Sequence, residues 1–330
     1  MSKRIALVTG GAGFIGSHMV DRLASDDFKV RVIDNLSGGH ESNLSAQKNN
    51  PNVFFEREDI LNLSPNSNLF KDVDVIFHFA GIGDIVPSIE KPLDYMKVNV
   101  QGTANILEGA RERSVPRFVY AASSSCYGLA KTPTDENAKI DPLYPYAMSK
   151  FMGETSVFHW SKVYNLNVKS LRLFNVYGPR SRTSGTYGAV FGVFLAQKIA
   201  NKPFTVVGDG KQTRDFVYVA DVVEAFFKSA VTEINNEIFN IGSNNTYSIN
   251  YLVSLIGGNV INIPKRPGEP DITFADIKKA KKKLKWKPMY SLRRGVRLML
   301  ENLSQWNDAP LWNEKKIKLA TRSWFKYLGK

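Results

Sequence analysis

Short apolar runs alternate with stretches of helical spacing through the first half of the chain. Residues 5–9, 29–33, 53–56, 73–79, 117–121 and 168–173 read as strands. Between them, apolar side chains recur at helical intervals in 16–24, 98–113 and 145–163. The strands are apolar on both faces, and the pattern switches repeatedly between strand and helix. That order predicts an α/β fold with a parallel sheet covered on both sides. The second half is less regular. It opens with a turn and helix at 185–199, then a helix at 221–230 and a strand at 237–241 that can return to the first sheet. A tail at 304–330, rich in tryptophan and lysine, reads as helical.

Composition narrows this picture. A chain of 330 residues has room for about two domains and a large core. Its 43% hydrophobic and 23% charged residues exclude a disordered or collagen-like chain. Cys126 is the one cysteine, which excludes an intramolecular disulfide and suits a reducing compartment. No run reaches the roughly 18 apolar residues of a membrane helix, so no membrane partner is expected. The start, Met-Ser-Lys-Arg, passes straight into a strand, unlike a signal peptide. A cytoplasmic location is the expectation.

The net charge is +13. Residues 1–175 hold 19 basic and 19 acidic side chains, whereas 176–330 hold 25 and 12. The excess belongs wholly to the second half. That suits nucleic acid, and equally a small polyanion such as a nucleotide diphosphate. Seven lysines and no acid fall in 278–287, a segment expected to be solvated.

Candidate chemistry begins at Thr9-Gly10-Gly11-Ala12-Gly13-Phe14-Ile15-Gly16, which follows the first strand and opens the first helix. Gly10 permits a tight turn, Gly13 lets the backbone approach a pyrophosphate, and Gly16 lets helix pack on strand. Phe14 and Ile15 belong to the helix start, whose free N–H groups and dipole favour phosphate. The strand–turn–helix context separates this loop from a mere tight turn. Asp34 ends the second strand, 18 residues after Gly16. An acid there binds ribose hydroxyls and repels a 2′-phosphate, so NAD is favoured over NADP. Asn35 adjoins it. Asp59 and Ile60, after the third strand, fall where the adenine would sit. The fold class that follows is a Rossmann-type doubly wound parallel sheet.

Tyr146 and Lys150 are four residues apart and share one helix face. A free tyrosine has a pKa of about 10, too high for a base at neutral pH. A lysine ammonium, with a nicotinium charge, would stabilise the phenolate and bring that value down. The pair alone suits an ordinary amphipathic helix as well. Ser123, Ser124 and Ser125 strengthen the catalytic reading. They end a parallel strand on the side where such sheets bind ligands, and a hydroxyl there can relay a proton.

Together these motifs resemble the extended short-chain dehydrogenases/reductases, in the group of NAD-dependent nucleotide-sugar epimerases and dehydratases. The resemblance runs over residues 3–300. It includes Asn99 in Asn-Val-Gln-Gly-Thr and the run Leu173-Phe174-Asn175-Val176-Tyr177-Gly178-Pro179. Arg214-Asp215-Phe216-Val217 and Arg266-Pro-Gly-Glu269 complete it. The resemblance implies Tyr146 as base, Lys150 on the nicotinamide ribose, Ser123 aiding proton transfer, and Asn99 in the cofactor site. It also implies that Asn175, Arg214 and Arg266, with Glu269, hold a nucleotide diphosphate, which guanidinium forks match well. An NAD-binding domain at 1–175, joined by about 215–242, and a smaller α/β substrate domain at 176–330 with a helical tail are implied too. So is a homodimer joined through the helices at 98–113 and 145–163.

The residues after Ser123 discriminate among reactions. Dehydratases of the group carry an Asp-Glu pair there, and UDP-glucuronate decarboxylases a Glu; Ser124 and Ser125 stand in those places here. Without a carboxyl group an elimination lacks its general acid and base. The resemblance therefore points to a 4-epimerase of a UDP-sugar: UDP-GlcNAc, UDP-glucose or UDP-glucuronate. Thr273 stands where narrow epimerases carry a bulky tyrosine, implying room for an acetamido group, although a surface threonine fits too. Arg180 or Arg182 would suit a hexuronate carboxylate, or be solvated loop charges. A decarboxylase, another dehydratase or a reductase of the same fold are the alternatives, and a nucleotide-sensing binding module is the non-enzymatic one. The retained Tyr146 and Lys150 argue against the last.

Cys126, with no base beside it, reads as a small buried filler. His18, His40, His78 and His159 share no ligand spacing, so no metal is expected. His78 is expected to pack or hydrogen-bond. No nucleic-acid motif accompanies the basic half, and no nucleic-acid partner is expected.

Overall fold

A computed structural model describes residues 3–181 and 189–329. Its central sheet has seven parallel strands. Six are β1 (Ile5–Thr9), β2 (Lys29–Ile33), β3 (Val53–Glu56), β4 (Val75–His78), β5 (Arg117–Ser123) and β6 (Asn167–Leu173). They lie in the order β3-β2-β1-β4-β5-β6, with Glu237–Ile241 paired to β6 at the far edge. Ala6 and Val8 of β1 pack into one apolar cluster and Leu7 into the other. The inner strands are buried from both sides, which is why they read as unbroken apolar runs. The return of 237–241 to the first sheet is as the sequence suggested.

From β3 the chain crosses over β1 and resumes at β4. Strand order thus reverses between β1 and β4, and a crevice opens beyond their C-terminal ends. Helix α1 (Phe14–Ser25) starts at this crevice, and the helix Pro145–Tyr164 runs beside it. The second half contributes short pairs. Phe204–Val207 lies parallel to Val260–Ile263, Asn175–Tyr177 parallel to Phe216–Tyr218, and Thr213–Arg214 antiparallel to Tyr247–Ser248.

Three segments depart from the sequence reading. The helix expected at 98–113 begins with Pro92–Met96, passes a π-helical turn at Lys97–Gly102, and continues as Thr103–Glu112. That turn carries Asn99, whose side chain is tied to two other elements, and single π turns accompany such anchoring. The lysine run is not simply solvated. Ala280, Leu284 and Trp286 are buried, which draws the helix Lys278–Lys283 onto the sheet edge. There Lys279 and Lys283 both pair with Glu237. The tail is helical only in pieces, of which Glu314–Ala320 and Arg322–Leu328 are the longest. Of the turn and helix expected at 185–199, the helix spans Val190–Ile199, and Arg182 lies outside the described residues.

Candidate functional site

The loop after β1 is built by its glycines. Gly10 has φ +67°, and a Cβ there would stand 2.6 Å from the Ala80 nitrogen. Gly10 N–H donates to the Ile33 carbonyl (2.7 Å) and Gly13 N–H to the Gly10 carbonyl (3.1 Å). A Cβ on Gly16 would collide with that same carbonyl, so a side chain would push α1 off the loop. Gly13 caps α1 without a side-chain acceptor, leaving the first N–H groups of the helix to whatever enters the crevice. Asp34 is 8% exposed. Its carboxylate accepts from Ala12 N–H (3.0 Å) and Leu36 N–H (2.8 Å). Burial raises its pKa, and these hydrogen bonds oppose the rise. Asn35 donates to Asp59 (3.0 Å).

On the other side of the crevice stand Ser123, Tyr146 and Lys150. The Ser123 hydroxyl, at the end of β5, lowers the Tyr146 phenol and so opposes the rise that burial causes. It also accepts from Ser125 N–H (3.2 Å), which fixes its direction. Tyr146 is held between the Tyr95 ring edge and the parallel Tyr144 ring. The Lys150 ammonium lies 4.4 Å from the centroid of the Tyr120 ring. The electrostatics differ from the sequence expectation. Burial raises Tyr146 above its ordinary value and pulls Lys150 down to about 7, against Glu154, which raises it. Desolvation disfavours both charged forms, and it is the largest cause of the shift at each of them.

One cavity of about 1360 Å³ joins these groups. Gly10, Gly13, Phe14, Ile15, Gly16, Asp34, Asn35, Asp59 and Ile60 line one end. Ser123, Ser124, Ser125, Tyr146 and Lys150 line the middle, and Asn175, Arg214, Arg266 and Glu269 the other end. Glu269 bridges the two arginines, at 2.8 Å from Arg214 and 3.0 Å from Arg266. It holds both forks in place.

Two expected residues stand behind the lining. Asn99 is 1% exposed. It accepts from Ile82 N–H (2.8 Å) and donates to the Ile82 carbonyl (3.0 Å) and the Ser149 hydroxyl (2.9 Å). It braces the loop after β4 rather than facing the crevice. The Thr273 hydroxyl donates to Asn175 Oδ1 (2.9 Å) and accepts from Asp215 N–H (3.0 Å), so it orients the Asn175 amide. Arg180, considered for a hexuronate, pairs with Asp21 at 2.7 Å.

Asp84 and Trp324 also line the cavity, and sequence reasoning missed both. Asp84 follows β4 without a motif around it. Trp324 sits in the tail, its indole N–H donating to the Pro267 carbonyl (2.6 Å) and its ring 5.1 Å from the Arg266 guanidinium.

The model of the "NAD dependent epimerase/dehydratase family" matches residues 6–242. The chain belongs to this family. A UDP-glucose 4-epimerase of Mycolicibacterium smegmatis is 34% identical to it, over 89% of this chain and 97% of the relative. Two solved structures, each with TM-score 0.85, are similar. One is the UDP-N-acetylglucosamine 4-epimerase of Methanobrevibacter ruminantium in complex with UDP-N-acetylmuramic acid, 31% identical and covering 92% of this chain and 100% of that one. The other is the UDP-glucuronic acid 4-epimerase of Bacillus cereus in complex with UDP-glucuronic acid and NAD, 33% identical, covering 91% and 99%.

The remaining singled-out groups are structural members of this family chain. His78 Nε2 meets the Thr103 hydroxyl at 3.0 Å, and that hydroxyl donates to the Asn99 carbonyl. The Thr103 oxygen is thus the acceptor, Nε2 carries the proton, and Nδ1 accepts from Thr9 at 2.6 Å. Burial pulls His78 down to about 3, in keeping with this neutral tautomer. Burial pushes the Cys126 thiol up to about 12, which keeps it unreactive.

Proposed function

We propose that the chain is an NAD-dependent 4-epimerase of a UDP-sugar. The observation that carries this reading is the convergence of the glycine loop, the Ser123–Tyr146–Lys150 cluster and the Arg214–Glu269–Arg266 cluster on one cavity. The first end fits NAD on the structure's own terms: a glycine cradle that a Cβ would fill, uncapped helix N–H groups, and a buried carboxylate at the end of β2. Residues 1–175, with about 215–242, form the cofactor part, and the rest of 176–330 the substrate part. This division is supported by the strand at 237–241 lying in the first sheet.

Bound there, NAD supplies reversible hydride acceptance. The chain's own groups do the rest. Tyr146 takes the proton of the sugar 4-hydroxyl, and Ser123 donates a hydrogen bond to the same oxygen as it becomes a carbonyl. Lys150 is placed to orient the cofactor ribose and favour the phenolate. Arg214, Arg266 and Asn175 hold the diphosphate, so the sugar can turn its other face while the anchor stays bound. Tyr146 returns the proton to complete inversion.

The test is a panel of UDP-hexoses, UDP-acetamidohexoses and UDP-hexuronates followed by NMR. A 4-epimer should appear from at least one class without net NADH. Silence across the panel, carbon dioxide release, or stoichiometric NADH consumption would each overturn the reading.

The pH dependence follows from the two shifts. Lys150, at about 7, titrates below Tyr146, which burial raises above its ordinary value. The form that carries a phenolate beside an ammonium is therefore a minority, whose share rises until Lys150 titrates and falls only in the Tyr146 range. The rate, read as kcat/KM, is expected to climb on an acid limb set by Lys150 and to fall only in the strongly alkaline range, with macroscopic limbs that belong to the pair. A flat rate between about pH 5 and 7 would contradict this assignment.

A homodimer completes the proposal. Met148 and Met152 are exposed on the helix Pro145–Tyr164, as are Val163 and Tyr164 at its end. A second copy covering that face is the occupant that the family resemblance implies. A cytoplasmic location accords with the single cysteine and with the absence, among the described residues, of any helix long and apolar enough to cross a membrane.

A further inference from the structure

We propose that Trp324, in the tail helix Arg322–Leu328, is a positioning residue that sets the affinity for the substrate diphosphate by holding the Arg266 guanidinium over its ring. The inference rests on the reading of Arg266 as a diphosphate ligand, and it gives the tail a part in substrate recognition. Arg266 and Trp324 line the same cavity. The guanidinium carbon stands 5.1 Å from the ring centroid, within the reach of about 6 Å for a cation over an aromatic face. Glu269 Oε2 lies 3.0 Å from Arg266 Nε. Ring and carboxylate thus hold the fork from two sides. A long side chain loses rotamer freedom when a ligand fixes it. A guanidinium that the protein has already fixed meets an anion at less entropic cost.

The ring is itself held firmly. Trp324 is 4% exposed, and its indole N–H donates to the carbonyl of Pro267 (2.6 Å), the residue after Arg266. The same tail helix packs on the helix Ile85–Glu90, where the Ser323 hydroxyl donates to Glu90 (2.8 Å). Ile85 and Val86, at the start of that helix, line the cavity. The tail helix therefore bridges the wall that carries Arg266 and the wall that follows β4. Farther back, Trp306 and Ile317 are buried in the main core. The Trp312 carbonyl accepts from the Gln197 amide (2.8 Å). The buried Thr321 hydroxyl donates to the Ile317 carbonyl (2.8 Å), where the chain turns into the last helix.

Burial alone would make Trp324 a packing residue. Two contacts direct its effect elsewhere: the ring meets a cation of the cavity lining, and the N–H grips the backbone beside that cation. Loss of the ring should therefore be felt first by whatever Arg266 binds. The ligand chemistry concerned is a nucleoside diphosphate, with or without a sugar attached. The catalytic groups and the glycine loop stand on other elements, so hydride and proton transfer should be spared once substrate is bound.

The experiment titrates UDP into the NAD-loaded protein by calorimetry. Trp324→Met removes the aromatic face and keeps an apolar side chain; Trp324→Phe keeps a face and loses only the N–H. Trp324→Met should weaken UDP by about tenfold and Trp324→Phe by less than about threefold, the span expected for a partly desolvated cation–aromatic contact. In an Arg266→Gln background Trp324→Met should add less than about twofold, because the partner through which it acts is gone. On a UDP-sugar that turns over, KM should rise while kcat holds within about twofold. Wild-type UDP affinity in Trp324→Met, a full tenfold loss in the Arg266→Gln background, or a Trp324→Phe as weak as Trp324→Met each overturns the proposal. So does an equal loss of NAD affinity, which marks a purely structural role. Hydrogen exchange on the wild type tests the same idea without a substitution: UDP, and not NAD alone, should slow the amides of 322–328 by at least about threefold. Unchanged exchange at saturating UDP overturns the proposal even where Trp324→Met does not fold. A wild type that fails to bind UDP overturns both the diphosphate reading and this inference. The expected UDP losses with no epimer from any sugar would uphold Trp324 while sinking the 4-epimerase reading, so the two failures are distinguishable.

Discussion

Tyr146→Phe should lower kcat about a thousandfold, the middle of the range for losing a general acid–base group, while UDP-sugar affinity changes less than about threefold. The substitution removes one oxygen and nothing else. The ring keeps its edge contact with Tyr95 and its parallel neighbour Tyr144. Ser123 keeps its own anchor, the Ser125 N–H. Neither the cavity shape nor the Arg214–Glu269–Arg266 cluster depends on the phenol. Thermal stability should therefore hold, because a buried hydroxyl is exchanged for hydrogen and Ser123 still faces the cavity. Epimer formation followed by NMR, with substrate affinity by calorimetry, checks both halves. Turnover within tenfold of wild type would remove Tyr146 from the role of base. A parallel loss of affinity would instead mark it as a binding residue.

Most of the sheet was legible in the chain because burial from both sides leaves an unbroken apolar signature. β1, β2 and β3 fall where the apolar runs lie, and β5 and β6 extend theirs by one or two residues. The glycine loop was legible for a local reason: the positive φ at Gly10 and the close approach at Gly16 admit no side chain. What stayed hidden depends on contacts distant in sequence. The spacing of Lys150 suggested that its charge would depress Tyr146, but burial governs both groups, and burial is a property of the whole fold. Asn99 has the composition of a ligand-binding residue, yet its amide is engaged by Ile82 and Ser149, from a different loop and a different helix. Thr273 acts through Asn175, nearly a hundred residues away. Asp84 carries no motif, and Trp324 reaches the cavity only because the tail folds back on Pro267 and Arg266. The lysine run read as solvated because charge dominates its composition, while three apolar residues fix where it docks.

The second large effect lies beneath the site. Arg172 and Glu154 are each 3% exposed and pair at 2.6 Å. Arg172 also donates to the Tyr127 hydroxyl (2.8 Å), which donates to Asn240 (2.7 Å), and the Ser170 hydroxyl donates to Glu154 (2.7 Å). This network ties the helix that carries Tyr146 and Lys150 to β6 and to the strand Glu237–Ile241. Arg172→Met leaves the Glu154 carboxylate buried without its partner, and should cost about 3–5 kcal/mol, read as a lower urea midpoint. Glu154→Leu should cost a similar amount for the mirror reason. The double variant removes both charges and should recover most of the loss, since a buried pair contributes little net stability over apolar groups of similar volume. Activity should not recover with it. Glu154 is the group that raises Lys150, so its removal leaves the ammonium losing its proton at a lower pH. The acid limb of the rate profile, which Lys150 sets, should then move to lower pH in the double variant, although its fold is restored. A double variant as unstable as the singles would show that the network specifies geometry beyond its charges. One with an unmoved acid limb would detach Lys150 from that limb. Stability and pH profile, measured on the same three proteins, separate what the pair does for the fold from what it does for the lysine.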